Sequence, residues 1–249
     1  ACTFYVSPGN ERTYVVLSGL NENMPAAMQL FEKLLADAQV NKEAYDNLVG
    51  DILKARADAK LNQGQNFSRL MNYAMYGPKS PATNLLTEAE LASMNPQELV
   101  DRIHNQNNYK HRILYYGPSS SKDLLATIEQ YHQVPATLKD IPAGNEYSYL
   151  ETPATKVLVA PYEAKQIYMA QISNLDKKYD PAIEPTRELY NEYFGGGMNT
   201  IVFQEMRESR SLAYMAFTEW INPSYLDDNY LFAAIIATQN DKMAQAIDA

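Results

Sequence analysis

Near the start of the sequence, apolar and polar residues alternate in the way that β-strands require. Thr3–Ser7 and Arg12–Ser18 have this pattern, and Pro8-Gly9-Asn10 between them is a typical tight turn. The spacing of apolar residues then changes to three and four positions, which predicts an amphipathic helix. Its apolar positions are Met24, Ala27, Met28, Phe31, Leu34, Leu35 and Ala38. A hairpin followed by a helix is therefore expected.

The helical pattern continues through the next part of the chain. Thr87 and Glu90 have the spacing of a capping box, in which the side chain of each residue bonds the backbone of the other. Asn95-Pro96-Gln97-Glu98 is a typical helix start, because asparagine caps free N–H groups and proline fits the first turn. His111–Tyr116 has the composition of a strand. Helices are predicted over about 42–61, 66–75 and 122–131.

A polar segment, residues 134–153, interrupts the periodic pattern. It carries Pro135, Pro142, Gly144 and Pro153, and we predict that it is a linker. Beyond it, strands are predicted at Lys156–Ala160, Ile167–Ser173, Ala213–Trp220 and Tyr230–Thr238. Helices are predicted at about Thr186–Tyr193 and Met198–Ser209, with a last helix capped by Asp241.

The two structured parts show a weak internal repeat. Tyr14–Met24 aligns with Phe232–Lys242, since both read as a strand, a polar turn with Asn or Asp, and the start of an Ala/Met-rich helix. The identity is low, so coincidence is the alternative. The sequence Ala-Cys-Thr-Phe-Tyr at position 1 reads as the interior of a strand. If the repeat is genuine, the first unit lacks its beginning and the second lacks its end.

This repeat defines the expected architecture. Residues 1–133 would be the rear part of one α+β domain, 134–153 the linker, and 154–249 the front part of a second, similar domain. Each part mixes strand pairs with helix pairs instead of alternating strand and helix. That mixture favours tandem, mainly antiparallel sheets with helices packed on one face. Both domains would be incomplete in this chain.

The composition narrows the classes of partner. The formal net charge is −9, which disfavours nucleic acid because phosphate binding needs a basic surface. An acidic surface is compatible with basic peptides, although acidity more often serves solubility. No apolar run approaches the roughly 20 residues that cross a bilayer, so no membrane span is expected. The single cysteine, Cys2, excludes an internal disulfide and a cysteine metal cluster.

Candidates for metal binding and nucleophilic catalysis are few. The histidines are His104, His111 and His132, and their spacing fits neither H-x-x-E-H nor H-E-x-x-H. We therefore predict no metal site within the chain and structural roles for these residues. Ser119-Ser120-Ser121-Lys122 contains a Ser-x-x-Lys spacing, but it lies at a predicted helix start, where serine caps are routine. Catalysis by an internal nucleophile is not expected.

The most distinctive part of the sequence is rich in tyrosine and glycine. Three glycines, Gly195-Gly196-Gly197, follow Tyr193-Phe194 and lead into a predicted helix. Glycines at a helix start could bind phosphate. Their spacing matches neither Gly-x-Gly-x-x-Gly nor the P-loop, however, and the segment before them is predicted to be helical. The favoured interpretation is a tight helix-to-helix turn with close backbone approach.

A cation and a phenol follow in the same block. Arg207 comes directly after the predicted buried stripe of Met198, Val202 and Met206, near the helix end, where the helix dipole favours a cation. Tyr214 comes seven residues later, on the following predicted strand. Spacing alone leaves two interpretations open. The residues are either a ligand-binding pair, or an ordinary helix-ending arginine and a packed strand tyrosine.

Three consecutive motifs in this block resemble the C-terminal-domain signature of one peptidase family. The motifs are Phe194-Gly195-Gly196-Gly197-Met198, Phe203-Gln204-Glu205-Met206-Arg207-Glu208 and Leu212-Ala213-Tyr214. The family is that of pitrilysin, insulin-degrading enzyme and mitochondrial processing peptidase, which are zinc peptidases with an inverted H-x-x-E-H motif. Elsewhere in the chain, the order of strands and helices is similar to that of the family's repeated α+β domains.

The resemblance implies a division of labour between domains. In that family, four such domains form two halves that close around a peptide, and the first domain carries zinc. An arginine and a tyrosine of the last domain reach the substrate backbone, and by position these are Arg207 and Tyr214 here. Tyr214 would donate a hydrogen bond to the oxyanion that forms at the cleaved carbonyl. Arg207 would bind a substrate carbonyl or help to orient the phenol.

The chain lacks the zinc ligands and the glutamate base of that family. Since zinc-activated water is the nucleophile in this chemistry, the resemblance implies a non-catalytic, substrate-clamping half of a zinc metalloendopeptidase. Zinc would be held upstream or in a partner chain, the substrate would be a peptide, and this segment alone would bind no zinc and be inactive.

One alternative is a catalytically inactive structural or scaffold homologue of the same fold. The other is an unrelated binding module, in which Arg207 and Tyr214 would lie apart.

Overall fold

The computed structural model describes residues 2–9 and 12–249. Its strands are β1 Cys2–Pro8, β2 Thr13–Gly19, β3 Gln166–Lys178, β4 Met215–Ile221 and β5 Asn229–Gln239. Its α-helices are α1 Met24–Ala36, α2 Lys42–Lys60, α3 Gln63–Tyr76, α4 Glu88–Ser93, α5 Pro96–His104, α6 Ser121–Tyr131, α7 Glu184–Tyr190, α8 Ile201–Phe203 and α9 Met243–Asp248. These strands pair only in antiparallel fashion, which confirms the predicted α+β class. Among the described residues, none of the helices is both long enough and apolar enough to span a bilayer.

Contacts within the chain define two compact units. Unit one comprises Ala1–Lys54 and Leu86–Asn145, and unit two comprises Ala55–Leu85 and Glu146–Ala249. Residues 55–85, which include α3, thus pack with the C-terminal part of the chain. The interpretation of 1–133 and 154–249 as parts of two repeated domains stays a prediction.

In unit one, β1 and β2 form the hairpin that the alternating pattern predicted. Tyr5 lies opposite Val16, and the N–H of Gly9 donates to the carbonyl oxygen of Arg12 at 2.8 Å to close the turn. Asn10, the last residue of the predicted turn, lies outside the described residues. The β-branched valines of both strands favour this extended pairing.

Helix caps in unit one lie where the sequence predicted them. The N–H of Glu90 donates to Thr87 Oγ1 at 3.2 Å, and the N–H of Thr87 donates to the Glu90 carboxylate at 2.7 Å, which completes the capping box of α4. The hydrogen bond from the Thr87 N–H to the Glu90 carboxylate also lowers the pKa of Glu90. Asn95 Oδ1 accepts the N–H of Gln97 at 3.0 Å and caps α5. Both predicted helix starts are therefore confirmed.

Two predicted strands are wrong. His111–Tyr116 and Lys156–Ala160 are extended but belong to no sheet. Leu114 is 82% exposed and Val157 is 80% exposed, so neither segment is buried as a sheet member would be. A strand needs a neighbour that takes up its N–H and C=O groups. Within the described residues no neighbouring strand pairs with either segment.

Unit two contains a three-stranded sheet in the order β3-β5-β4. Met169 on β3 and Ala216 on β4 both lie opposite Ile236, so β5 is the central strand. Tyr230 and Leu231 of β5 are fully buried. The central strand is therefore the most buried of the three.

A partly buried carboxylate joins this sheet to α7. Glu184 accepts hydrogen bonds from Tyr230 Oη at 2.8 Å, Asn222 Nδ2 at 3.0 Å and Arg187 Nη2 at 3.0 Å. The bond from Asn222, with those from Arg187 and Tyr230, lowers the pKa of Glu184 in the folded state. These hydrogen bonds to ionised Glu184 therefore stabilise the fold at pH values above the ordinary pKa of a glutamate. Their stabilisation is lost as the pH falls through the lower pKa that Glu184 has in the folded state.

Two π-helical turns replace the regular helix ends predicted in unit two. Asn191–Gly195 continues α7, and Gln204–Ser209 continues the single turn of α8. Met206 is buried, as the predicted stripe requires, but Met198 is 70% exposed because the helix starts only after it. The expectation that Met198 belongs to the buried stripe is therefore wrong.

The end of unit two has the order of elements that the weak repeat predicted. β5 is followed by a 3₁₀ turn, Asn240–Lys242, and then by α9, just as β2 is followed by a 3₁₀ turn and α1. Lys242 occupies the N-cap of α9, and no side chain caps this helix within the described structure. The expected cap at Asp241 is therefore wrong.

Candidate functional site

Gly195 allows α7 and its π-helical turn to lie directly against β4. A Cβ atom at this position would be 2.0 Å from Thr218 Oγ1 and 2.2 Å from the Thr218 carbonyl oxygen. No side chain can be accommodated at such distances. The predicted close backbone approach is therefore confirmed at Gly195.

The same turn covers the outer edge of β4. Asn191 Nδ2 donates to the Trp220 carbonyl oxygen at 3.1 Å, and Asn191 Oδ1 accepts the Trp220 N–H at 2.9 Å. One amide side chain thus takes the place of a neighbouring strand at Trp220, which protects an exposed sheet edge. Gly195 and Asn191 together fix the position of the glycine-rich block beside the sheet.

Arg207 and Tyr214 lie together on the surface of unit two. The guanidinium carbon Cζ of Arg207 is 5.1 Å from the centroid of the Tyr214 ring and 5.0 Å from the centroid of the Phe203 ring. These are cation–π distances. We refer to Phe203, Arg207 and Tyr214 as the Arg207 stack.

Backbone hydrogen bonds determine where the Arg207 stack lies. The Met206 carbonyl oxygen accepts the N–H groups of Leu212 at 2.8 Å and Ala213 at 3.3 Å. The N–H of Tyr214 donates to the Ala237 carbonyl oxygen of β5 at 2.8 Å. Tyr214 therefore enters the sheet directly beside the turn that carries Arg207.

The Tyr214 side chain is exposed and that of Arg207 is partly exposed, at 40%. Tyr214 is 66% exposed, and its hydroxyl has no hydrogen-bond partner in the part of the chain that the structure describes. The nearest carboxylate oxygen to Arg207 is Glu208 Oε1, 3.6 Å from Nε, in an exposed pair of small energetic value. The terminal guanidinium nitrogens and the phenol can therefore both donate to a ligand.

Phe203 is the member of the stack whose role sequence reasoning missed. One exposed cation–π contact is worth ~0.5–1 kcal/mol, whereas fixing an arginine side chain costs about 2 kcal/mol of rotamer entropy. Two ring contacts therefore offset much of the entropy lost when the Arg207 side chain is fixed, whereas one contact would offset only a small part of it. The signal in the sequence is the i, i+4 spacing of Phe203 and Arg207, which places both on one helix face.

The predicted structural histidines take part in a hydrogen-bonded chain in unit one. His111 Nε2 and His132 Nε2 are 2.9 Å apart, His111 Nδ1 lies 2.7 Å from the Tyr109 carbonyl oxygen, and His132 Nδ1 lies 2.6 Å from Glu32 Oε1. The carbonyl and carboxylate oxygens are acceptors, so each Nδ1 is the donor in its hydrogen bond. His104 instead bonds the Ala38 carbonyl oxygen.

The serines at the start of α6 make structural hydrogen bonds. Across residues 2–9 and 12–249, no group of three or more His, Cys, Asp or Glu side chains is placed to hold a metal ion. Ser120 Oγ accepts the N–H of Asp123 at 3.2 Å and caps α6. Ser119 Oγ donates to Asn21 Oδ1 at 2.8 Å. The predicted capping role at this helix start is confirmed.

A comparison with models of protein families identifies the family to which the chain belongs. The model of the peptidase M16 inactive domain matches residues 112–249, which is more than half of the sequence and includes the whole Arg207 stack. The chain therefore belongs to the peptidase M16 family and carries its inactive domain. This confirms the resemblance on which the sequence analysis relied. The alternative of an unrelated binding module is wrong.

Solved structures show the same fold. A peptidase M16 inactive domain from Pseudomonas fluorescens has 15% identity and a TM-score of 0.63, with 99% of this chain and 62% of that one covered. The periplasmic protease PqqL from Escherichia coli has 14% identity and a TM-score of 0.71, over 99% of this chain and 27% of that one. A protease from Helicobacter pylori has 12% identity and a TM-score of 0.65, over 99% and 61%. The chain thus spans less than two thirds of each of these proteins. Among curated protein sequences, none matches it.

The contact at Gly195 predicts a large effect of a small substitution. Gly195→Ala should lower the free energy of unfolding by about 1–3 kcal/mol, because the added methyl group overlaps Thr218 and β4 must move. Chemical denaturation monitored through Trp220 fluorescence measures the loss. Gly197→Ala is the matched control, since a Cβ at Gly197 meets no atom within 4 Å. Equal stability of the two variants would contradict this description of the turn.

Proposed function

We propose that this chain is the substrate-clamping, non-catalytic half of a zinc-dependent metalloendopeptidase. The observation that carries the proposal is the Arg207 stack, in which a partly exposed guanidinium lies 5.1 Å from the centroid of an exposed phenol ring. Both residues lie in the segment matched by the model of the inactive domain. The zinc site belongs to an N-terminal half or to a partner chain. When bound there, zinc supplies an activated water for attack on the peptide bond.

The contribution of this chain is to bind and orient the peptide. The Tyr214 hydroxyl donates a hydrogen bond to the oxyanion that develops at the cleaved carbonyl. Arg207 donates to a neighbouring backbone carbonyl of the substrate, and its planar guanidinium presents several N–H groups in a fixed arrangement. A donor that is already positioned needs no reorganisation during the reaction, which is why such groups accelerate it.

The proposal also accounts for the position of the pair in the fold. Arg207 is carried by a helix end and Tyr214 by a strand start, and backbone hydrogen bonds connect the two elements. Sites built on regular elements hold their geometry better than sites on loops. A clamp that must meet a reacting carbonyl from another domain requires this precision.

The first test concerns the phenol in the full-length protein that contains this chain. Tyr214→Phe should lower peptide turnover roughly 10²–10³-fold, the usual effect of removing one oxyanion donor. Stability and zinc content should not change, because the Tyr214 hydroxyl makes no bond within the described structure. Tyr193→Phe is the control, since Tyr193 is 67% exposed and Tyr214 is 66% exposed. Unchanged turnover in Tyr214→Phe would show that the assigned role is wrong.

The second test concerns this chain by itself. We expect that residues 1–249 hydrolyse no peptide, with or without added zinc, because the activating metal and the base lie elsewhere. Peptide cleavage assays and isothermal titration with zinc measure both properties. Stoichiometric zinc binding by the isolated chain would overturn the assignment of the metal to another half. A full-length reading frame without an H-x-x-E-H motif would favour the inactive scaffold homologue instead.

A further inference from the structure

We infer that Phe203 is a positioning residue, whose ring holds the Arg207 guanidinium beside Tyr214. The kinetic part of this inference rests on the proposed function. The structural part does not, and it can be tested on this chain alone.

The guanidinium lies beside two rings. Arg207 Cζ is 5.0 Å from the Phe203 centroid and 5.1 Å from the Tyr214 centroid. Both rings are thus within cation–π distance of the same cation, whose terminal nitrogens have no acceptor among the described residues. A ligand therefore approaches these nitrogens, while the rings restrict the swing of the side chain.

Phe203 and Tyr214 differ in what they can contribute. Phe203 is partly buried at the end of α8, one helical turn before Arg207, so its ring position is set by the helix. It carries no polar group and cannot donate to a substrate. Tyr214 comes from the strand side, and its hydroxyl is the group assigned to the substrate. The residue that keeps Arg207 in place while Tyr214 binds is therefore Phe203.

Competing partners show why the ring is needed. Glu208 Oε1 is 3.6 Å from Arg207 Nε, a loose contact that a freed guanidinium would tighten. Glu205 accepts a hydrogen bond from Arg210 at 2.7 Å and is a second carboxylate in the same turn. A guanidinium drawn onto either carboxylate would no longer face a ligand. Stacking on Phe203 opposes this withdrawal.

A purely packing role for Phe203 makes a different prediction. Leucine retains most of the apolar volume of phenylalanine but has no π face, so Phe203→Leu separates stacking from packing. Phe203→Tyr and Phe203→Trp retain the face and should preserve the function. Phe67→Leu is the matched control, because Phe67 is also partly buried and contacts the Tyr168 ring at 5.5 Å.

The structural experiment is nuclear magnetic resonance on this chain. In the wild type, the Arg207 Hδ protons should show contacts to the Phe203 ring and resonate upfield of an unstructured arginine. Phe203→Leu should move them downfield, Phe203→Trp should not, and Phe67→Leu should leave them in place. Absence of the Phe203–Arg207 contact in the wild type, or Arg207 shifts unaffected by Phe203→Leu, would overturn the inference. The wild-type contact is decisive even if the leucine variant folds poorly.

The kinetic experiment uses the full-length protein. Phe203→Leu should lower kcat/KM for a peptide roughly tenfold. The effect is modest because the substitution misplaces the Arg207 guanidinium but does not remove it. Phe203→Tyr and Phe203→Trp should restore the wild-type value. If Arg207→Ala lowers kcat/KM but Phe203→Leu does not, the inference fails and the proposed function stands. If Phe203→Leu shifts the Arg207 signals but neither Phe203→Leu nor Arg207→Ala affects turnover, the proposed function fails.

Discussion

The carbonyl oxygen of Met206 is the point on which the candidate site depends. It accepts the N–H groups of both Leu212 and Ala213, and so it ties the turn that carries Arg207 to the start of β4. The N–H of Tyr214 then donates to the carbonyl oxygen of Ala237 on the central strand. The backbone therefore sets the separation of the two residues, and stacking of the side chains then places the guanidinium beside the phenol ring.

Local signals were enough to predict much of the fold. The caps at Thr87 and Asn95 and the hairpin of β1 and β2 follow from the residues themselves. The strand predictions are wrong at His111–Tyr116 and Lys156–Ala160. An apolar, extended segment becomes a strand only beside a partner strand, and the sequence of the segment does not reveal whether that partner exists. The π-helical turn at Gln204–Ser209 was also missed, since helical periodicity does not distinguish an inserted residue from a regular turn.

The site could be predicted in part. The order of glycines, arginine and tyrosine identified the family, and the structure places Arg207 and Tyr214 beside each other. The apolar character of Phe203 fits packing beside the helix stripe equally well. Only the structure shows that its ring lies beside a cation. Residues that act through a neighbour carry no polar signature, and sequence patterns therefore tend to pass over them.

The central claim is that Arg207 and Tyr214 act together on one substrate. A double-mutant cycle on kcat/KM in the full-length protein, with Arg207→Ala, Tyr214→Phe and the combined variant, measures this directly. The account predicts that both single variants impair turnover and that their effects are not additive, with a coupling of roughly 0.5–3 kcal/mol as found for residues in contact. Strictly additive effects, or no effect of either substitution, would contradict it.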